Sequence, residues 1–111
     1  VVVGLFGADD EDIGGPGLVA ERGRMLLVRR VNTIEEMRRC QILLVGRSHA
    51  GRARQLLRGL EGAPTLTVSV VFGFSQMGGM VELREERGQR LFLLNTDAAR
   101  RARLVFHPGL L

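Results

Sequence analysis

Few side chains in this sequence have the chemistry of a catalytic centre. Ser48 and His49 are adjacent, whereas Cys40 and His107 stand alone in the chain. Nucleophilic catalysis needs a nucleophile within hydrogen-bond reach of a base, and adjacency in sequence does not supply that geometry. The C-x-x-C, H-x-x-x-H, G-x-S-x-G and H-E-x-x-H patterns of zinc sites and hydrolases do not occur. We therefore expect a protein that is not an enzyme, with no catalytic residue, metal site or cofactor. A hydrolase acting through Ser48 and His49 stays open as an alternative.

An acidic run, Asp-Asp-Glu-Asp, occupies residues 9–12. Its spacing differs from an EF-hand loop, in which acids alternate and a glutamate follows later. The same acids would repel phosphate, so the preceding Gly-Leu-Phe-Gly at residues 4–7 does not predict a phosphate-binding loop. We interpret residues 9–12 as a solvated loop rather than a cation site.

The charge pattern argues against nucleic acid as a partner. All 16 basic residues are arginines, and they are interleaved with 12 acids along the chain, giving a net charge of +4. A nucleic-acid footprint needs its basic residues clustered on one face.

A chain of 111 residues fits one domain, so we predict a single domain over residues 1–111. No apolar run is long enough to span a bilayer, so we expect no direct membrane insertion.

Alternating apolar runs and glycines predict an α/β chain. Strands are predicted at residues 1–6, 25–31 and 41–45, and a short helix at residues 18–23. Asn32 or Thr33 is expected to cap one helix, and Ser48 to cap a longer one over residues 49–60.

Residues 64–97 are the most informative stretch. Residues 66–71 form an apolar, β-branched run, predicted to be the central strand of the sheet. Residues 80–84 and 90–94 flank a charged linker containing Gly88, which predicts an antiparallel hairpin. Asn95, Thr96 and Asp97 can then cap a final helix. The predicted fold is α/β: a mostly parallel sheet with flanking helices, a three-layer sandwich of Rossmann-like topology, ending in a hairpin and a C-terminal helix.

Two loops are candidate binding sites. Gly7, Gly46 and Ser48 follow strands predicted to be parallel, and loops at the carboxyl ends of such strands line the ligand crevice of open α/β sheets. A small-ligand-binding sensor domain using that crevice is one functional hypothesis.

The second loop is rich in aromatic residues and glycine, and its apolar members are candidate anchors for a protein partner. The set comprises Phe72, Phe74, Met77, Gly78 and Gly79. The competing interpretation is that both phenylalanine rings fold over the end of the sheet as part of the core.

An ordered set of short segments resembles the YfiR family of bacterial periplasmic regulators, from about Gly4 to Leu111. The segments are Cys40-Gln41-Ile42-Leu43-Leu44-Val45, Leu66-Thr67-Val68-Ser69, Gly73-Phe74, Gly78-Gly79-Met80, Asn95, Ala98-Ala99, Leu104 and Leu110-Leu111.

The resemblance implies a dimeric periplasmic protein that binds the periplasmic sensor domain of an inner-membrane diguanylate cyclase and so represses cyclic-di-GMP synthesis. Family members carry an export signal, a helix and a strand ahead of the position of Val1, so we expect this chain to be truncated at its N-terminus. The sequence departs from the family pattern at Val70, where an acid is usual, and at Arg103, where glycine is usual. Cys40 has no partner for the disulfides that members often hold, and we expect it to be a small buried residue.

Overall fold

The computed structural model describes residues 1–7, 17–21 and 24–105, and of residues 17–21 and 24 it describes the backbone only. The acidic run and His107 lie outside the described residues. The strands are β1 (Val2–Phe6), β2 (Gly17–Glu21), β3 (Arg24–Arg30), β4 (Ile42–Val45), β5 (Leu66–Ser69), β6 (Val81–Glu86) and β7 (Gln89–Leu94). The α-helices are α1 (Ile34–Arg38), α2 (Ala53–Gly59) and α3 (Thr96–Arg101), and 3₁₀ helices cover Arg47–Arg52 and Ser75–Met77.

All the described strands join one 7-stranded sheet in the order β2-β3-β1-β4-β5-β6-β7. Parallel pairing runs from β3 through β1, β4 and β5 to β6, and β2 and β7 are antiparallel to their neighbours. This is the predicted α/β class, a mostly parallel sheet that ends in a hairpin and a helix. The central position belongs to β4, so the prediction that residues 66–71 form the central strand was off by one place.

The prediction of a short helix at residues 18–23 is wrong, because Gly17–Glu21 is a strand. It pairs antiparallel with β3, with Leu18 opposite Leu27 and Glu21 opposite Arg24. A helix of this length is marginally stable in isolation, because its few hydrogen bonds do not offset the free-energy cost of nucleation. Pairing with the open edge of β3 supplies backbone partners that a short helix between glycines lacks.

Two helices begin at the predicted caps. The Thr33 hydroxyl accepts a hydrogen bond from the Glu36 amide at 3.2 Å, and the Glu36 carboxylate accepts one from the Thr33 amide, which forms a capping box. Asn95 accepts from the Ala98 amide at 2.9 Å and caps α3. Both observations confirm the sequence predictions.

The helix predicted over residues 49–60 is divided. A 3₁₀ helix covers Arg47–Arg52, with His49 at a non-helical φ of −115°, and α2 starts only at Ala53. Gly46 holds the N-cap position, and Ser48 makes no capping bond. Instead, the Ser48 hydroxyl donates to the Gly7 carbonyl at 2.7 Å. The predicted Ser48 cap is therefore wrong, because the hydroxyl finds its acceptor on the neighbouring strand end.

The hairpin is confirmed, with a tight turn at Arg87 and Gly88. Both residues have positive φ, 52° and 77°, as a type I′ turn requires. The register places Glu86 opposite Gln89 and Val81 opposite Leu94.

Alternate residues of the central strands face different parts of the core. Leu43 and Val45 of β4 pack in a cluster with Met37 of α1 and Leu56 of α2. Ile42 and Leu44 of the same strand pack with a second cluster, Val3, Leu5 and Val28. A third cluster joins α3 to the hairpin strands through Ala98, Ala99, Val81 and Leu94. Helices α1 and α2 thus cover one face of β4, and α3 packs at the hairpin end of the sheet.

Candidate functional site

Residues 70–80 connect β5 to the parallel strand β6, and we call them the crossover loop. Parallel neighbours need a connection that crosses the sheet, and this is usually an α-helix. Here the connection has only the single 3₁₀ turn Ser75–Met77. A loop without a helix must find partners for its backbone amides and an apolar group to cover the sheet.

The carboxylate of Glu82 on β6 holds the crossover loop. Its side chain is fully buried and accepts hydrogen bonds from the Gly73 amide at 3.1 Å and the Ser75 amide at 2.9 Å. The carboxylate also accepts hydrogen bonds from the Ser75 hydroxyl at 3.1 Å and from Nε of Arg84 at 2.7 Å. Burial acts to raise the pKa of Glu82, but the hydrogen bonds together outweigh burial, so its pKa lies below the ordinary value. The carboxylate is therefore held in its charged form.

Phe74 fills the space beneath the crossover loop. Its ring has 0% exposure and belongs to the cluster that also contains Phe6 and Leu56. A Cβ on Gly79 would lie 2.2 Å from the Phe74 ring, so close packing there requires a glycine. The expectation that Phe74 is a surface anchor is corrected: without a crossover helix, the loop needs a large apolar side chain to cover the sheet. Gly79 is buried with it.

Phe72 has the opposite orientation, with 76% of its surface exposed. The guanidinium carbon of Arg84 lies 4.2 Å from the centroid of the Phe72 ring, which is cation–π geometry. Arg84 also contacts the carboxylate of Glu86 at 3.7 Å. The interpretation that both phenylalanine rings are core is therefore wrong for Phe72. Met77 and Gly78 are half-buried.

Two exposed apolar side chains of β7 line the same groove as Phe72. Leu91 and Phe92 are 37% and 65% exposed, and all three residues line one shallow groove of about 640 Å³. We call Phe72, Leu91 and Phe92 the hairpin patch. Sequence reasoning missed the β7 residues, although residues 91–94 carry consecutive apolar side chains where a strand with one solvated face would alternate.

The residues of the predicted ligand crevice lie at the ends of β1 and β4, where they contact one another. Ser48 bonds the Gly7 carbonyl, and the Gly46 amide donates to the Phe6 carbonyl at 2.8 Å. The His49 ring packs on Phe6 with centroids 4.2 Å apart. A Cβ added to Gly7 would lie 2.5 Å from the His49 ring. The side chains of His49 and Ser48 therefore fill the space beside Gly7.

The reactive side chains of the described residues are engaged in structural contacts. The Ser48 hydroxyl donates to a carbonyl rather than to His49. The Cys40 thiol is buried and donates to the Glu36 carbonyl at 3.4 Å. Burial raises the pKa of Cys40, which disfavours the reactive thiolate.

Comparison with protein families matches residues 17–111 to the DUF4154 family model, described as YfiR/HmsC-like. A comparison with curated proteins gave no match. The YfiR-like family is regulatory rather than catalytic, it is periplasmic, and it is associated with diguanylate cyclase signalling. In the part of the chain that the structure describes, no helix is long and apolar enough to cross a membrane. Because the family match covers most of the sequence, the chain belongs to the YfiR/HmsC-like family.

Proposed function

We propose that this protein is a non-catalytic periplasmic repressor, which binds the periplasmic sensor domain of an inner-membrane diguanylate cyclase through the hairpin patch. Binding would hold the cyclase inactive and lower cyclic-di-GMP synthesis. The observation that carries this assignment is that the Phe72 ring is exposed and makes a cation–π contact with the guanidinium of Arg84. Family membership supports the regulatory role.

The patch has the chemistry of a protein-binding surface. Aromatic residues and arginine are enriched at interfaces and dominate their energetics. Arg47, Arg84 and Arg90 line the same groove as the exposed rings, together with Glu85 and Glu86. The buried Glu82 fixes the loop that carries Phe72, so little conformational entropy is lost when a partner docks.

The proposal includes a homodimer and a single YfiR-like domain over residues 1–111, as the resemblance implies. Light scattering on the purified protein measures the oligomeric state directly. A monomer at micromolar concentration would remove the homodimer from the proposal and leave the partner surface untouched.

Isothermal calorimetry with the sensor domain of a cyclase encoded beside this gene tests the partner. We expect Phe72→Ala to raise Kd about tenfold or more, since buried aromatic anchors carry much of an interface's energy. Met25→Ala is the matched control, because Met25 is 59% exposed on β3, far along the sheet from the hairpin. Absence of binding by the unaltered protein would overturn the regulatory proposal. Equal weakening by both variants would exclude the hairpin patch as the contact surface.

The sensor-domain alternative that uses Gly7, Gly46 and Ser48 is less well supported. Those residues contact one another, and His49 fills the space above Gly7. We propose that this cluster joins the ends of β1 and β4 rather than receiving a ligand.

A further inference from the structure

A second groove, of about 500 Å³, lies between α2 and α3. It runs past Thr65 and Met80, at the amino ends of β5 and β6, whereas Gly7 and Gly46 mark the carboxyl ends of β1 and β4. The groove shares no lining residue with the hairpin patch. It is therefore separate from the hairpin patch and from the Gly7, Gly46 and Ser48 cluster, although Met77, Gly78 and Met80 of the crossover loop line it.

The lining of this groove combines apolar side chains with arginines. Leu57, Leu60, Met80, Ala98 and Ala102 contribute apolar surface. The threonine hydroxyls in the lining already have partners: Thr65 donates to the Cys40 carbonyl, and Thr67 accepts from the Met80 amide. The groove thus offers apolar contact beside threonine hydroxyls that already have hydrogen-bond partners.

The lining also includes three exposed arginines, Arg54 and Arg58 from α2 and Arg101 from α3. Among the described residues, none of these guanidinium groups forms an ion pair, although Arg100 on the outer side of α3 lies 3.7 Å from Asp97. Glu61 is the acid in the lining. Three arginines and one glutamate thus give the described lining of the groove an excess of positive charge.

Helix stability does not explain this arrangement. Arg54 and Arg58 are four residues apart on α2, where like charges repel and weaken a helix. The helix has no acid in its first turn and no side-chain cap to offset that cost. An anion between α2 and α3 would offset the repulsion.

We propose that this groove binds an organic anion with an apolar body, such as an alkyl or aryl carboxylate or phosphate. The guanidinium groups would pair with the anionic head, since their planar donors match carboxylate and phosphate oxygens. The apolar body would lie on the leucine, methionine and alanine side chains. The groove volume falls within the range of small-molecule sites, and the unbranched side chain of Met77 can adapt to different ligand shapes.

The test uses the anionic fluorophore 8-anilinonaphthalene-1-sulfonate on a Phe72→Ala/Phe92→Ser background, which removes dye binding to the hairpin patch. We expect the Arg58→Gln/Arg101→Gln change to raise the dye's Kd about tenfold. The matched control is Arg52→Gln/Arg100→Gln, which removes the same net charge from positions outside the groove and should leave Kd unchanged. Equal effects of the two double changes would overturn the proposal.

Competition experiments separate the ligand classes. Octanoate and octyl phosphate should displace the dye, and the stronger competitor identifies the preferred head group. Octanol at the same concentration should displace it weakly, because it lacks the charge. Displacement by octanol as effective as that by both anions would contradict the role of the arginines. This proposal is independent of the cyclase partner, since its readout is dye binding by the isolated protein.

Discussion

Glu82 and Arg84, on the same strand, are joined by a 2.7 Å hydrogen bond from the arginine Nε to the carboxylate. The two side chains link the buried and exposed parts of the candidate partner site. Glu82 binds the crossover loop from inside, and Arg84 supports the exposed ring of Phe72. The orientation of Phe72 therefore depends on a carboxylate that solvent does not reach.

Glu82→Gln is predicted to destabilise the protein by about 3 kcal/mol. Each oxygen of the Glu82 carboxylate accepts hydrogen bonds from two donors. In either orientation, the glutamine side chain would therefore place its NH₂ group, itself a donor, against N–H or O–H donors. Urea unfolding at neutral pH measures the loss. Glu86→Gln is the control, because Glu86 is 56% exposed and its contact with Arg84 is long, and it should change stability by less than about 0.5 kcal/mol.

Acid is predicted to destabilise the protein through the same carboxylate. The pKa of Glu82 in the folded state lies below the ordinary value of 4.5. The unfolded chain then binds more protons in that range, so the free energy of unfolding falls as pH drops below 4.5 towards the folded-state pKa. Protonation of Glu36 should also lower the free energy of unfolding in acid, because the backbone amide of Asn32 and the Thr33 hydroxyl lower the pKa of Glu36 in the folded state.

Urea unfolding between pH 3 and pH 7 separates the two contributions. The Glu82→Gln variant should lose less stability on acidification than the unaltered protein, and Glu36→Gln should remove a separate part. An identical pH dependence in the Glu82→Gln variant would contradict the assigned charge state.

Phe74→Ala is predicted to destabilise the protein far more than Phe72→Ala. Removing the buried ring of Phe74 leaves a cavity and should cost about 4 kcal/mol. Removing the exposed ring of Phe72 loses a cation–π contact and should cost about 0.5 kcal/mol, while it weakens partner binding. Thermal unfolding and calorimetry measure the two quantities. Similar stability losses in both variants would show that Phe72 is also a core residue.

The sequence predicted the sheet and the hairpin because their patterns are local. The type I′ turn at Arg87 and Gly88 lies between alternating strands, and the caps at Thr33 and Asn95 sit next to the helices they begin. Strand β2 was missed because its identity depends on pairing with β3 rather than on its own five residues.

The candidate site was only partly predictable. Phe72 and Phe74 flank Gly73, which has a positive φ of 82°, and the sequence does not determine which ring points inward. The groove between α2 and α3 was not predictable from local patterns, because Arg58 and Arg101 line it from different helices.

Arg103→Gly is predicted to stabilise the protein by about 1 kcal/mol. Arg103 has a φ of 61° and follows the last turn of α3. The Leu104 amide bonds the Ala99 carbonyl at 2.8 Å and the Arg103 amide bonds the Arg100 carbonyl at 3.0 Å, which is a Schellman motif with arginine at the usual glycine position. Glycine adopts this conformation without steric cost. The control Arg100→Gly, inside α3, should instead destabilise by about 1 kcal/mol. Loss of stability in both variants would contradict the strain at Arg103.

Gly79→Ala is predicted to destabilise the protein by about 2 kcal/mol, because the added methyl group would overlap the Phe74 ring. Gly51→Ala is the matched control: no atom lies within 4 Å of a Cβ there, so stability should be nearly unchanged. The double variant Gly79→Ala/Phe74→Leu tests the contact itself, since a smaller side chain makes room for the methyl group. Its stability loss should be smaller than the sum of the two single losses, and a double-mutant cycle of chemical denaturation measures the difference. Strict additivity would mean that the Gly79 backbone and the Phe74 ring do not share this space.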